Sequence, residues 1–199
     1  MSKRRTAGLA LFVSGGLLLS FAGGEYALGA ATQHDAREAW NDAGAAFAAA
    51  ASAADADPSV PLIAGAPVAR LLVPKIGLDE IVLEGVSDDV LNGGPGHMPG
   101  TPLPGATGNA VISAHRDRHF RNFGDLGVGD TVETQVGYRT NRWVVVSKRV
   151  VDKDAAALFR SQDERLTLTT CWPIRYLGTA PDRLILTAKP VTAVTARKG

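Results

Sequence analysis

The stretch Leu166–Pro173, LTLTTCWP, alternates apolar and β-branched residues and then stops at a proline. This pattern predicts a strand, and Pro173 marks the point where strand pairing gives way to a loop. Cys171, the only cysteine of the chain, is therefore expected at a strand end, at the mouth of the fold. Because no second cysteine is present to form an internal disulfide, Cys171 is either an inert core residue or a reactive nucleophile.

The part of the chain after Pro67 consists of short apolar or β-branched runs separated by glycine and proline. Such spacing without a long helical period predicts an all-β barrel or sandwich. A segment with six glycines and four prolines in 16 residues, Gly93–Gly108, is expected to be an irregular loop. Two short helices are expected, at Ser87–Asn92 and Ala155–Phe159. The expected strands are Val68–Val73, Ile81–Gly85, Ala110–Ala114, Thr131–Gly137, Arg142–Val151, Leu166–Thr170 and Arg183–Ala188.

The N-terminal region has the pattern of a membrane anchor. Three basic residues precede Ala7–Gly24, an uncharged stretch of 18 residues, which predicts a transmembrane helix within residues 1–31. The basic cluster favours a cytoplasmic N-terminus, so the rest of the chain is expected outside the plasma (inner) membrane as a single-pass protein. A cleaved signal peptide is the alternative. Residues 32–67 are expected to form an Ala/Pro-rich stalk, residues 68–190 the folded domain and residues 191–199 a tail.

Composition excludes several classes of function. The net charge of +1 gives no electrostatic support for a nucleic-acid partner. The sequence contains no Cys/His cluster at metal-ligand spacing and no phosphate-binding glycine loop, so neither a metal nor a cofactor is expected.

Two further residues are candidates for a site around the cysteine. His115 follows an apolar strand, 109–114, at a position where an imidazole can change protonation during a reaction, and His119 is the rival base. Arg183 opens the strand 183–188. If that strand pairs with 166–170, Arg183 and Cys171 lie at the same end of the sheet, where a guanidinium could hold a substrate carbonyl or stabilise an oxyanion.

Three ordered motifs resemble those of the sortases, the cysteine transpeptidases anchored outside the bacterial membrane. Thr167–Cys171 (TLTTC) resembles their TLxTC signature, Gly108–Asp117 (GNAVISAHRD) is similar to the segment with their catalytic histidine, and Asp182–Leu186 (DRLIL) to their arginine strand. Leu91–His97 and Cys171–Pro173 are similar to the class D-like group, which includes sortases of Gram-negative bacteria. The resemblance extends from about Val68 to Ala188.

The resemblance implies a closed eight-stranded sortase-type β-barrel and a two-step acyl transfer. Cys171 would attack the Thr-Gly carbonyl of an LPxTG-like sorting signal and form a thioacyl-enzyme, which an amine would resolve. His115 would transfer protons, Arg183 would position or stabilise the oxyanion, and Thr170 is the candidate for a supporting oxyanion contact. The amine would come from peptidoglycan, a lipid-linked precursor or another protein. No lid motif or acidic calcium cluster is evident.

Residues 152–164 precede the cysteine strand and are expected to recognise the sorting signal. Leu158 and Phe159, together with Trp172, are the predicted substrate-binding residues; alternatively, Leu158 and Phe159 cap the barrel core. The 172–182 loop is the other candidate for recognition of the signal. Two other functions remain open. A secreted cysteine hydrolase would use the same Cys171 and His115 but release its product to water, and a non-catalytic, membrane-tethered β-barrel binding domain would leave Cys171 inert.

Overall fold

The central feature of the fold is a closed barrel of eight strands in the order β1-β2-β3-β4-β7-β8-β6-β5. The computed structural model describes residues 3–42, 62–153 and 161–191. The strands are β1 (Pro67–Val73), β2 (Leu78–Glu84), β3 (Gly96–His97), β4 (Asn109–Ser113), β5 (Thr131–Val136), β6 (Arg139–Asp152), β7 (Arg165–Trp172) and β8 (Asp182–Pro190). The expected closed barrel of eight strands is therefore confirmed.

Helices are few in the described part of the chain. They are α1 (Lys3–Asp42), α2 (Asp88–Gly93) and two 3₁₀ turns at Pro74–Ile76 and Phe123–Asp125. The short helix expected at Ser87–Asn92 is confirmed as α2. The helix expected at Ala155–Phe159 lies outside the described residues, as do most of the stalk and the tail after residue 191.

Strand β7, which carries Cys171, has one parallel and one antiparallel neighbour. It pairs in parallel with β4 and antiparallel with β8. Leu166 and Leu168 of β7 are fully buried, in the same core cluster as Trp143 and Phe120. Residues 166–170 of β7 are buried, whereas Arg165 at its start and Cys171 and Trp172 at its end are partly exposed. The fold thus presents the end of β7, and not its middle, to solvent.

Strand β3 is a two-residue strand within the segment expected to be irregular. Gly96 and His97 pair in parallel with the end of β2 and antiparallel with β4, and so close the barrel between them. A side chain at position 96 would overlap with the carbonyl oxygen of Gly85, so the close approach of these backbones requires glycine there. The strand is created by this tertiary contact, and for that reason the local sequence did not indicate it.

The helix α1 continues past the expected anchor into the stalk and packs on the barrel. Ala36 and Trp40 are buried in a small cluster with Ile81 and Leu83 of β2. The side chain of Gln33 accepts a hydrogen bond from Ile81 N and donates to Ile81 O, at 2.9 Å each. Residues 32–42, expected to belong to a spacer, therefore lie against the domain.

The expectation of a spanning helix within residues 1–31 has no support from the described residues. Among the helices of that part of the chain, none combines the length and the apolarity needed to cross a membrane.

Candidate active site

Cys171 and Arg183 form a cross-strand pair at the end of the β7–β8 ladder. They are directly opposite each other in the register, and Arg183 Nη1 donates a hydrogen bond of 2.8 Å to Cys171 Sγ. Cys171 is partly exposed. The predicted pairing of the two strands is thus correct, and it places a guanidinium where it can stabilise negative charge on the sulfur or on a neighbouring oxygen.

His115 reaches the same end of the barrel through the β4–β7 pair. Ser113 of β4 lies opposite Thr169, and Ala114 N donates to Thr169 O at 3.2 Å. Because the two strands are parallel, the next positions along them, His115 and Cys171, leave the sheet at the same edge. Parallel pairing therefore brings the histidine to the strand end that carries the thiol.

The imidazole of His115 is partly buried, and burial lowers its pKa from the ordinary value of 6.5. The negative charges of Asp117 and Asp88 act in the opposite direction, while Arg118 and His119 lower the pKa further. At neutral pH the ring is accordingly neutral, and it can accept a proton from a nearby thiol or amine.

Thr170 has a buried hydroxyl that binds the main chain next to the histidine. Its Oγ1 donates to Ala114 O at 2.7 Å, and the residue is only 2% exposed. The hydroxyl proton is committed to this bond, so Thr170 positions the end of β4 in this conformation. To contact an oxyanion, the Thr170 hydroxyl would have to break its hydrogen bond to Ala114 O.

His119, the rival base, is held elsewhere. Its Nδ1 forms an ion pair with the Glu80 carboxylate of β2, and its side chain is 10% exposed. No hydrogen-bond partner of its Nε2 is found among the described residues. Because His119 is engaged with β2, it is the weaker candidate for a base that acts on Cys171.

The predicted substrate-binding residues divide into two groups. Trp172 is partly buried and packs against the barrel core directly after the cysteine. Leu158 and Phe159 lie outside the described residues. Beside the site, the turn after His115 and the loop after Trp172 enclose an open cavity of about 520 Å³, lined among others by Arg116, Ile174 and Tyr176.

Sequence reasoning missed two buried or tethered groups around the barrel mouth. Arg116 donates two hydrogen bonds to the loop after Trp172, as described below. His97 Nδ1 lies 2.6 Å from the Glu84 carboxylate, and both residues are buried. The partners of both groups are distant in sequence, so no local pattern signals them. Within residues 3–42, 62–153 and 161–191, no cluster of histidine, cysteine and carboxylates could hold a metal ion.

Comparisons with known proteins identify relatives of this chain. Residues 71–191 match the family model described as the sortase domain. The chain is 38% identical over 124 residues to Sortase D of Bacillus subtilis (strain 168), a match that covers 61% of this chain. The match covers 63% of that curated relative, so the chain spans less than two thirds of its length.

Solved structures share the fold. A Clostridium perfringens Sortase D5 transpeptidase has a TM-score of 0.65 at 24% identity, and the alignment covers 83% of this chain and 99% of the other. A lid mutant of Sortase A from Corynebacterium diphtheriae has a TM-score of 0.58 at 28% identity, with 63% and 70% covered.

Proposed function

The chain belongs to the sortase family, with class D-like sequence features, and on that premise we propose that it is a cysteine transpeptidase acting on an LPxTG-like sorting signal. The observation that carries the proposal is the 2.8 Å hydrogen bond from Arg183 to the sulfur of the only cysteine. A thiol held in this way at the partly exposed end of a strand is suited to attack a carbonyl that enters from solvent.

In the proposed first step, Cys171 Sγ bonds to the carbonyl carbon between Thr and Gly of the signal. The thiol proton passes to His115, whose lowered pKa keeps the ring neutral and able to accept it. Arg183 stabilises the oxyanion that forms on the carbonyl oxygen. The C–N bond then breaks, His115 returns its proton to the leaving amine, and a thioacyl-enzyme remains.

In the proposed second step, an amine resolves the thioacyl-enzyme. The amine nitrogen bonds to the thioester carbon and gives a proton to His115. The C–S bond breaks, and His115 returns the proton to the released sulfur of Cys171, which restores the thiol and the neutral ring. One amide is exchanged for another, so the reaction needs no external energy source. The amine is proposed to come from peptidoglycan, a lipid-linked precursor or a protein, and water must be the poorer acceptor.

The location proposed for this activity is outside the plasma (inner) membrane. The support is the sequence alone, in which basic residues precede the uncharged stretch Ala7–Gly24. The test is fractionation of cells that produce the full chain, with protease added to intact spheroplasts. Recovery of the protein in the cytosol, protected from protease, would contradict this location.

The activity is tested by incubating the full chain with LPxTG peptides in which x varies, with and without an added amine. We expect an intact mass that corresponds to an acyl group on Cys171, and a peptide–amine conjugate when the amine is present. The Cys171→Ala protein should give neither product. A peptide that stays intact in every reaction would refute the proposal, and hydrolysis that an amine does not divert would favour the cysteine hydrolase.

A further inference from the structure

The structure ties the turn after His115 to the loop after Trp172 through one side chain. Arg116 Nη1 donates to Pro173 O at 2.9 Å, and Nη2 donates to Gly178 O at 2.6 Å. The guanidinium also lies over the ring of Tyr176, 5.6 Å from its centroid. A single arginine thus contacts three points of the 173–181 loop.

Besides Arg116, the loop is held by Ile174, which is partly buried against the barrel core. Apart from the strand ladders that flank it, no backbone hydrogen bond joins residues 173–181 to one another or to any other part of the described chain. Leu177 at its tip is 98% exposed. In a segment without regular structure, two charge-assisted hydrogen bonds from one planar group fix its backbone at two further points, Pro173 and Gly178.

The position of this tether relates it to the reacting groups. Arg116 is adjacent to His115 in sequence, and Pro173 is separated from Cys171 only by Trp172. Ile174 and Tyr176 form one side of the cavity of about 520 Å³, and the turn that carries Arg116 forms the other. The two hydrogen bonds of Arg116 therefore join the two sides of this cavity.

We propose that Arg116 is a positioning residue, which holds the 173–178 loop as a wall of the substrate cleft beside Cys171. The inference rests on the proposed transpeptidase function. Arg116 acts on the cleft wall and leaves the reacting pair in place, because Cys171 and Arg183 are fixed by the β7–β8 ladder and not by the loop. Arg116 therefore affects the binding of a peptide or amine, whereas the chemical step depends on Cys171 and Arg183 at the strand ends.

The test compares Arg116→Ala and Arg116→Lys with the wild-type full chain. Loss of two hydrogen bonds from a charged donor is expected to raise the KM for the sorting peptide about tenfold, with kcat changed by less than about threefold. Arg116→Lys, which keeps the charge but loses the two-pronged donor, should recover only part of the loss. The rate at which a small thiol reagent labels Cys171 should stay within about twofold of wild type, since that reagent does not use the cleft wall.

Two controls make the outcome decisive. Arg175→Ala removes the same charge from the loop itself and leaves both hydrogen bonds intact, so its effect should be smaller. Equal losses in Arg175→Ala and Arg116→Ala would show that charge and not the tether matters, and would overturn the proposal. A parallel loss of thiol labelling in Arg116→Ala would also overturn it, because the reacting pair would then depend on Arg116.

Limited proteolysis separates this inference from the proposed function. Trypsin should cleave the loop after Arg175 faster in Arg116→Ala than in wild type, whether or not the protein turns over any peptide, because a loop released from the turn fits a protease site more readily. An unchanged rate of cleavage after Arg175 would refute the tether. If the wild-type protein leaves every sorting peptide intact while cleavage still accelerates in the variant, the transpeptidase proposal has failed and the loop tether has not.

Discussion

Replacement of Gln33 by alanine tests whether α1 is part of the folded domain. The Gln33 side chain binds β2 as a neighbouring strand would, at Ile81, just before the residues that pair with β3. It pairs with both Ile81 N and Ile81 O and also donates to Gly93 O at 3.0 Å. An unpaired edge strand exposes such groups, and proteins commonly cover them. The alanine variant keeps the helix propensity and removes all three hydrogen bonds.

The cost follows from the number of bonds and their burial. A neutral hydrogen bond contributes about 1 kcal/mol net, and water can replace part of it at this partly buried contact, so Gln33→Ala should destabilise the chain by about 2 kcal/mol. For a domain of this size each kcal/mol lowers Tm by about 3–4 °C, which gives a loss of about 6–8 °C. Glu38→Ala is the matched control, since Glu38 is on the same helix with a side chain 66% exposed.

The assay is thermal unfolding of the purified full chain, followed by circular dichroism. Gln33→Glu adds a second comparison, because a carboxylate can still accept from Ile81 N but meets two carbonyl oxygens as an unfavourable neighbour. At pH 7 it should therefore be less stable than Gln33→Ala. Tm values for Gln33→Ala and Gln33→Glu within about 2 °C of the Glu38→Ala value would refute the reasoning that α1 covers the edge of β2.

Three other predictions concern the site and the barrel core. Cys171→Ala should abolish thioacyl formation with Tm changed by less than about 3 °C, because a partly exposed strand end leaves little cavity; a variant that still transfers acyl groups would exclude the mechanism. In NMR titrations the pKa of His115 should lie below 6.5, and Asp117→Asn should lower it further. Protonation then favours the unfolded chain, so the free energy of unfolding should fall as pH drops from 6.5 toward the folded-state pKa. A titration midpoint above 6.5 would contradict the burial argument. Glu84→Ala leaves Nδ1 of the buried His97 without its hydrogen-bond partner and should cost about 1–3 kcal/mol in urea denaturation. A loss below about 0.5 kcal/mol, typical of an exposed pair, would show that the contact is solvated.

Much of the barrel could be predicted because its strands carry local signals. The alternation in Leu166–Pro173 and the apolar run at 183–188 indicated the two strands, and the expectation that their pairing would bring Cys171 and Arg183 to the same end of the sheet is confirmed. Their exact register came from the structure. Strand β3 could not be predicted, because Gly96 and His97 have weak strand propensity and pair only after β2 and β4 are in place. Most strands could thus be predicted from their own residues, whereas the strand that closes the barrel depends on contacts with distant strands.

The contacts of α1 and Arg116 were missed for a related physical reason. A single glutamine in an alanine-rich helix produces no periodic pattern. The stabilisation that Gln33 provides depends on its hydrogen bonds to Ile81 of β2, which is distant in sequence. Arg116 binds carbonyl oxygens, which every residue possesses, so the sequence of the 173–181 loop does not reveal its partner. Side chains that bind main-chain groups across the fold are therefore the features that a single sequence hides most effectively.

The position of β7 explains how three residues distant in sequence form one site. A parallel neighbour on one side and an antiparallel neighbour on the other mean that the end of β7 meets the end of β4 and the beginning of β8. Side chains alternate between faces, so a one-residue slip of either pairing would turn Cys171 away from its partners. The hydroxyl of Thr170 opposes such a slip, because it binds Ala114 O from a buried position one residue before the thiol. The order of the strands therefore places His115, Cys171 and Arg183 at one end of the barrel, and Thr170 stabilises the register that keeps them there.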